Sequence, residues 1–194
     1  MNKIYLTSDF HFCHNRPFLY EPRGFTSPEE MNEAIIKNFN EVIDNEDDVY
    51  FLGDLMLNDN DAGMAAAARL KGRWHLVLGN HDTLNRQKLY ATLPNVVEMC
   101  YSMPLKYKKL SFYLSHFPTL TGNDMDGLHR NILNFYGHTH QSSPYSYLSP
   151  YMYNVGVDAH DCKPVLIDDA LEDMRAHYRE LKECYDSYQE GMAK

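Results

Sequence analysis

The 194-residue sequence has few cationic residues and no long apolar run. Lys and Arg together number 18 against 27 Asp and Glu, which gives a formal net charge of −9. Nucleic-acid backbones are bound through patches of Lys and Arg, so this balance argues against general nucleic-acid binding. No run approaches the roughly 18 apolar residues that a membrane-spanning helix needs. We therefore expect no membrane segment.

Paired cysteines are also missing from the sequence. Its four cysteines show no Cys-x-x-Cys spacing and are scattered along the chain: Cys13, Cys100, Cys162 and Cys184. Free thiols in a reducing compartment are the simplest interpretation. The N-terminus has only Lys3 and a very short apolar stretch before Ser8, too brief for the apolar core of a signal peptide. These features predict a cytoplasmic protein.

Length and composition favour one domain. Hydrophobic residues make up 44% of the chain and charged residues 23%, which is ordinary for a soluble globular protein of this size. There is no internal repeat, low-complexity tract or linker. We therefore predict a single domain over residues 1–194, whose oligomeric state the sequence leaves open.

The first half of the chain alternates strand-like and helix-like segments. We predict strands at about 3–8, 48–53 and 73–79, with one helix starting at Ser27-Pro28 and another over 62–70. Ser27 as N-cap, Pro28 at the first helical position and Glu30 form a capping box. The order strand, helix, strand, helix, strand predicts parallel pairing with crossover helices.

The second half has a different texture. Residues 96–116 alternate and contain many aromatics, and Pro104 and the pair Lys108-Lys109 predict bends or a hairpin. Further strands are predicted at 132–137 and 151–157, and a C-terminal helix at about 168–190. Together the halves predict an α/β (α+β) fold of four layers, with two packed mixed β-sheets flanked by helices.

Five short segments place metal-binding side chains at or just past the ends of apolar, strand-like runs. They are Asp9-Phe10-His11, Gly53-Asp54, Gly79-Asn80-His81-Asp82, Ser115-His116 and Gly137-His138-Thr139-His140. In open α/β sheets, ligands bind in the crevice outside the carboxyl ends of the strands. Five such ends on one edge would bring Asp9, Asp54, Asn80 and five His together, which is enough to hold two metal ions.

Each segment alone is a weak signal. In Asp9-Phe10-His11 the two polar side chains share one side if the segment is extended, yet a polar turn at a strand end has the same sequence. Gly-Asp and Gly-Asn are common turns, and a lone His116 is more often a structural histidine. Carboxylate and imidazole together suit a divalent transition ion better than calcium or magnesium.

In their order and spacing, the five segments resemble the motifs of the calcineurin-like metallophosphoesterases. That family carries Asp-x-His, Gly-Asp, Gly-Asn-His-Asp or -Glu, a lone His, and Gly-His-x-His. The resemblance spans residues 9–140, and 154–158 is similar to the next strand of small bacterial members; residues 168–194 lie outside it. It implies the family sandwich of two packed mixed sheets and two divalent transition-metal ions, with Mn, Fe, Zn, Ni and Co all compatible.

The resemblance also implies a role for each matching residue. One metal would be held by Asp9, His11, Asp54 and His140, and the other by Asp54, Asn80, His116 and His138. His81 would stay off the metals and act on the substrate as the catalytic residue. Its neighbour Asp82 either orients His81 or caps a helix.

The implied function is metal-dependent hydrolysis of phosphate esters, with a metal-bridging hydroxide as nucleophile. Phosphodiesters and phosphomonoesters both remain open, and the partner would be a small phosphorylated substrate, with nucleotides among the candidates. The protein Ser/Thr phosphatase branch is disfavoured, because Leu55-Met56-Leu57-Asn58 stands where its Asp-Arg-Gly block would be. The alternative is a non-catalytic metal-binding scaffold of the same fold.

Several residues outside the motifs are weaker candidates. His14 and Arg16 are candidate substrate-binding residues at the site rim, although a surface-loop role is equally compatible with them. The polar stretch 119–131 is a candidate substrate loop. His75 is interpreted as structural, and His177 as part of a solvated helix face.

Overall fold

The computed structural model describes residues 2–121 and 127–192, and contains two mixed β-sheets. The strands are β1 (Ile4–Thr7), β2 (Asp48–Phe51), β3 (Arg73–Val77), β4 (Val96–Cys100), β5 (Ser102–Tyr107), β6 (Leu110–Ser115), β7 (Ile132–Tyr136), β8 (Met152–Asn154) and β9 (Val165–Leu166). The α-helices are α1 (Pro17–Tyr20), α2 (Pro28–Val42), α3 (Asn60–Ala67), α4 (Leu84–Tyr90) and α5 (Ile167–Met192).

The first sheet has the order β4-β3-β2-β1-β9. Strands β1 to β4 are parallel, as the alternation of strands and helices predicts, and β9 is antiparallel to β1. Helix α2 starts where the sequence predicts, since the Ser27 hydroxyl accepts the N–H of Glu30 at 3.1 Å. The carboxylate of Glu30 accepts instead from the N–H of Thr26 at 2.8 Å, one residue before the expected partner.

The second sheet has the order β5-β6-β7-β8. Strands β5 and β6 form the predicted hairpin, which turns at Lys108 and Lys109 with φ of 46° and 66°. A pair of left-handed residues is what a two-residue hairpin turn requires. Pro104 lies in β5, an edge strand, where a missing N–H is tolerated. Strands β6, β7 and β8 are parallel.

Two apolar cores hold these layers together. Between the sheets, Leu6 and Val77 of the first sheet join Phe112 and Phe135 of the second, and the first turns of α5 add Leu171. The other face of the first sheet packs on α2 and α3 through a second cluster that includes Phe39, Phe51 and Trp74. Burying a side chain of this size contributes about 1.5–3 kcal/mol. The predicted fold of two packed mixed sheets with flanking helices is confirmed.

Some elements differ from the sequence prediction. Helices α1 and α4 and strand β9 were not expected, because each is very short. Helix α3 ends at Ala67, earlier than predicted, and α5 runs from Ile167 to Met192. Residues 122–126 of the stretch 119–131, and residues 1, 193 and 194 of the predicted domain, lie outside the described residues.

Within the described part of the chain, no helix combines the length and apolar character needed to cross a membrane.

Candidate metal centre

All five metal-binding segments follow the carboxyl ends of strands. Three follow β1, β2 and β3 of the first sheet, and two follow β6 and β7 of the second. Hydrogen bonds join them across the sheets: the N–H of Asp9 donates to the carbonyl of Gly53 at 2.9 Å, and the N–H of His138 donates to Asp9 Oδ2 at 2.9 Å. The segments therefore meet at one edge of the molecule, as the sequence predicts.

The first group of side chains, which we call the His11 cluster, consists of Asp9, His11 and His140. Each offers a ligand atom, and these atoms lie within 4.8 Å of one another. The imidazole rings of His11 and His140 have centroids 5.0 Å apart. Asp9 and His11 are buried, whereas His140 is open to solvent on one side.

The second group, which we call the His116 cluster, consists of Asp54, Asn80 and His116. The Nε2 atom of His116 lies 2.9 Å from Asn80 Oδ1 and 3.4 Å from Asp54 Oδ2. Ligand atoms of Asp54, His116 and Asp9 also lie within 4.8 Å of one another, so Asp9 borders both clusters. The ring of His138 lies beside this cluster, with its centroid 5.0 Å from that of His116.

The side chains of the His11 cluster fit a metal ion. Among the described residues, Asp9 Oδ1 and both ring nitrogens of His11 are buried without a hydrogen-bond partner. Unpaired buried polar atoms destabilise a fold by about 1–3 kcal/mol each, so native structures rarely keep them. A cation coordinated by Asp9 Oδ1 and one ring nitrogen of His11 removes that cost for those two atoms, and a mixed nitrogen and oxygen donor set suits a divalent transition ion.

The backbone of these segments is not extended. Asp9, His11, Asp54, His138 and His140 all have left-handed conformations, with φ between 49° and 69°. The side chains of Asp9 and His11 do converge, as expected. The expected reason, that the two residues share a face of an extended segment, is wrong, because both have a left-handed backbone. Left-handed non-glycine residues are uncommon and cluster at functional sites, where the surrounding fold holds them.

Two glycines allow the segments to approach each other. A Cβ atom on Gly79 would collide with the carboxylate of Asp54, and one on Gly137 would collide with the side chains of Ser8 and Asp9. Glycine at these positions therefore serves close packing against the ligand side chains.

Asp82 has neither of the two roles considered for it from the sequence. Its buried carboxylate accepts the N–H groups of Gly79 at 2.8 Å and Asp54 at 2.9 Å, and the hydroxyl of Tyr90 at 2.8 Å. The cap of α4 is Thr83 instead. Asp82 thus ties the segment after β3 to the segment that carries Asp54.

Two residues that sequence reasoning missed fix the position of His140. The carboxylate of Asp158 accepts from His140 Nδ1 at 2.9 Å, which leaves Nε2 of that ring for a metal. Asp158 is paired in turn with the buried guanidinium of Arg23 through two contacts of 2.8 Å. Arg23 also donates to the carbonyl of Asp9 at 2.9 Å, so one side chain holds both ends of the His11 cluster.

Burial and charge give the clusters different acid–base properties. Burial raises the pKa of Asp9 and lowers the pKa of His11 well below its usual value. Burial alone would raise the pKa of Asp54 and lower the pKa of His116. The hydrogen bond and the opposite charges of these two residues act in the other direction and outweigh burial. The net result is a lowered pKa for Asp54 and a raised pKa for His116. For Asp158, the pairing with His140 and Arg23 outweighs burial and lowers the pKa.

A cavity of about 390 Å³ opens beside the His11 cluster. It is lined by His11, His14, Phe18, Leu19, Pro22, His81, His140 and Asp158. The imidazole of His81 is 40% exposed, and its Nε2 atom lies 4.0 Å from Asp54 Oδ2. Of the two candidate substrate residues, His14 lines the cavity, whereas the exposed Arg16 lies outside its lining.

The remaining histidines lie apart from these clusters. His75 bridges Glu98 at 2.6 Å and Asp48 at 3.2 Å, in line with a structural role. The ring of His177 stacks on that of Tyr145 with centroids 4.0 Å apart, so it is packed rather than simply solvated. In the stretch 119–131, His129 belongs to a short 3₁₀ turn.

Comparison with known proteins shows the family of this chain. An uncharacterized protein of Methanocaldococcus jannaschii is 35% identical over 173 residues, which cover 87% of this chain and 89% of that protein. A crystal structure of a protein of unknown function from Aquifex aeolicus has a TM-score of 0.69 at 24% identity, covering 89% of this chain and 99% of the other. The family model of the calcineurin-like phosphoesterases matches residues 2–183. The chain belongs to the calcineurin-like phosphoesterase family.

Proposed function

We propose that this protein hydrolyses phosphate esters of small molecules with two divalent transition-metal ions, one at each cluster. The observation that carries the proposal is the convergence of the His11 and His116 clusters around Asp9 and Asp54, with the ligand atoms of His11 left unpaired. The side chains that would hold the two ions are Asp9, His11, Asp54 and His140 for one, and Asp54, Asn80, His116 and His138 for the other.

When bound, two such ions would supply an acidified water as nucleophile and positive charge against the phosphate oxygens. The carboxylates of Asp9 and Asp54 and one hydroxide would leave a formal charge of about +1 on the centre. In a chain with a net charge of −9, that local excess favours an anionic phosphate at this edge.

In this proposal, His81 acts on the leaving group. The backbone of His81 is fixed on both sides. Its backbone N–H donates to Asp54 Oδ1 at 2.8 Å, and its backbone carbonyl accepts from Arg86 Nη1 at 2.6 Å. The imidazole faces the cavity. As a bond forms between phosphorus and the water oxygen, the bond to the leaving oxygen breaks, and the imidazolium of His81 gives its proton to that oxygen.

The proposal is tested by turnover of p-nitrophenyl phosphate and bis-p-nitrophenyl phosphate with added manganese, alongside elemental analysis of bound metal. The His81→Ala variant is expected to keep the metal content of the unaltered protein and to lose roughly 10²–10⁴-fold in turnover, as for loss of a general acid. His177→Ala, on the remote helix α5, is the matched control and should keep full turnover.

Two outcomes would contradict parts of this proposal. Full turnover by the His81→Ala variant removes His81 from the mechanism. No turnover of either ester by the fully metal-loaded protein favours a metal-binding scaffold without catalysis. The relative rates with the two esters separate monoesterase from diesterase activity.

A further inference from the structure

The cavity beside the His11 cluster has two chemically different walls. His11, His81 and His140 form the polar wall, on the side of the candidate metal centre. Phe18, Leu19 and Pro22 form the apolar part of the lining, which we call the apolar wall. A volume of about 390 Å³ is within the usual range for sites that bind small molecules. The two walls suit a ligand with a phosphate at one end and an apolar group at the other.

Phe18 is an exposed ring on a fixed support. Helix α1 begins at Pro17, whose ring presets the helical backbone, and the next residue after Phe18, Leu19, is buried in the core. The Phe18 side chain is nevertheless 72% exposed. Its ring meets that of His14 edge to face, with centroids 5.3 Å apart. His14 is itself held by the N–H of Arg16, which donates to its Nδ1 at 3.2 Å.

The leaving group of the proposed reaction would enter this cavity. His81 lines the cavity, and in the proposed function His81 gives a proton to the leaving oxygen. The alcohol attached to that oxygen therefore extends from His81 towards the apolar wall. This step rests on the proposed function.

The charges of the cavity favour an uncharged leaving group. Neither Lys nor Arg occurs among the lining residues that the structure describes. The carboxylate of Asp158 is already paired with Arg23 and His140. A second phosphate on the leaving group would have no Lys or Arg in the lining to pair with. A planar apolar ring, in contrast, could stack on the ring of Phe18.

We propose that Phe18 stacks on an aromatic ring in the leaving group, so that the preferred substrates are phosphate esters of nucleosides or aryl alcohols rather than of alkyl alcohols. Stacking of a base on an aromatic side chain is sequence-tolerant and depends on the ring face alone. Phe18 would therefore determine specificity without taking part in the bond changes.

The test compares kcat/KM for adenosine 5′-phosphate, phenyl phosphate and ethyl phosphate, or for their methyl diesters if only diesters react. Comparing each variant with the unaltered protein cancels the different intrinsic reactivities of the esters. Phe18→Ala should lower kcat/KM for the aromatic esters by roughly 5- to 100-fold, the range expected for loss of one stacked ring, and lower that for ethyl phosphate far less. Phe18→Leu should lower kcat/KM for the aromatic esters as Phe18→Ala does. Phe18→Trp should keep the preference of the unaltered protein for aromatic esters.

A binding measurement keeps the test independent of turnover. Adenosine should quench the fluorescence of the Phe18→Trp variant but not that of the unaltered protein, whose single tryptophan, Trp74, is fully buried. The role of Phe18 is overturned if Phe18→Ala lowers kcat/KM for ethyl phosphate as much as for the aromatic esters. It is also overturned if adenosine does not quench the fluorescence of the Phe18→Trp variant. If the protein hydrolyses none of these esters while adenosine still quenches the fluorescence of the Phe18→Trp variant, the proposed function is overturned instead.

Discussion

The two clusters of the candidate metal centre lie side by side and yet differ in how their polar atoms are satisfied. In the His116 cluster, His116 has partners at both ring nitrogens, the Leu52 carbonyl at 2.8 Å and Asn80 Oδ1 at 2.9 Å. In the His11 cluster, neither ring nitrogen of His11 has a hydrogen-bond partner. Hydrogen bonds within the protein therefore satisfy the ring of His116 but not that of His11.

This difference indicates what a bound ion would do at each position. At the His11 cluster, coordination would satisfy buried atoms that have no other partner, so binding and folding stability are coupled. At the His116 cluster, the raised pKa of His116 makes a proton a competitor for an ion, and the raised pKa of His140 does the same at the His11 cluster. Acidic pH should therefore weaken metal binding at both clusters.

The largest expected effect comes from removing the carboxylate that both proposed metal sites share. Asp54→Asn keeps the shape of the side chain and an acceptor for the N–H of His81, but it removes the charge between the clusters. We expect loss of metal from both clusters, with turnover reduced by at least about 10²–10³-fold, as when a transition-state charge partner is lost. Metal stoichiometry by elemental analysis and ester turnover measure the two effects.

The control for this variant is Asp186→Asn on the exposed part of α5. It makes the same chemical change far from the clusters, so both readouts should match the unaltered protein. A variant with Asn at position 54 that retains two ions and full turnover would rule out a shared ligand at this position.

An intermediate effect is expected from Asp158, which positions His140 in the His11 cluster only. Asp158→Asn removes the acceptor charge facing His140 Nδ1 and leaves Arg23 without its ion pair. Loss of such a supporting partner typically lowers metal affinity by about 10- to 100-fold. Competition with a chromophoric chelator would show one weakened site and one unchanged site. Asp169→Asn, an exposed residue of α5, is the control, and equal weakening of both sites would contradict the assignment of His140 to one cluster.

The smallest expected effect is a difference in Tm between two variants, one from each cluster, measured on the metal-free protein. His11→Ala and His116→Ala remove the same ring from buried positions, so the cavities left behind are similar. Only His116→Ala also leaves the Leu52 carbonyl unpaired, which costs about 1–3 kcal/mol. In a chain of this length we expect a Tm lower by roughly 2–10 °C for His116→Ala than for His11→Ala.

Calorimetry in the presence of a chelator measures this difference. Adding manganese should stabilise the unaltered protein, and the His11→Ala variant should lose part of that gain. Equal Tm values for the two metal-free variants would show that the contrast in hydrogen bonding has no energetic consequence.

The strand ends were the most predictable part of the molecule. Apolar runs before Asp54 and before Asn80 are local patterns, and parallel topology places their carboxyl ends at one edge. The capping box at Ser27 and the hairpin at Lys108 were equally readable, because each depends on a few neighbouring residues. Helix α4 was missed because its seven residues carry no clear apolar period. Asp82 was misread because two of its partners, the N–H groups of Asp54 and Leu55, lie 28 and 27 positions away.

The sequence by itself determined the identity and order of the candidate ligands, since metal-binding side chains after glycines and apolar runs are a short-range signal. Only the tertiary structure decided the left-handed backbone that turns those side chains together, the pairing of Arg23 with Asp158 across 135 positions, and the cavity beneath Phe18. The physical reason is the distance along the sequence over which each kind of interaction acts. Local propensities act over a few residues, whereas a buried ion pair or a cavity wall exists only after distant segments have packed.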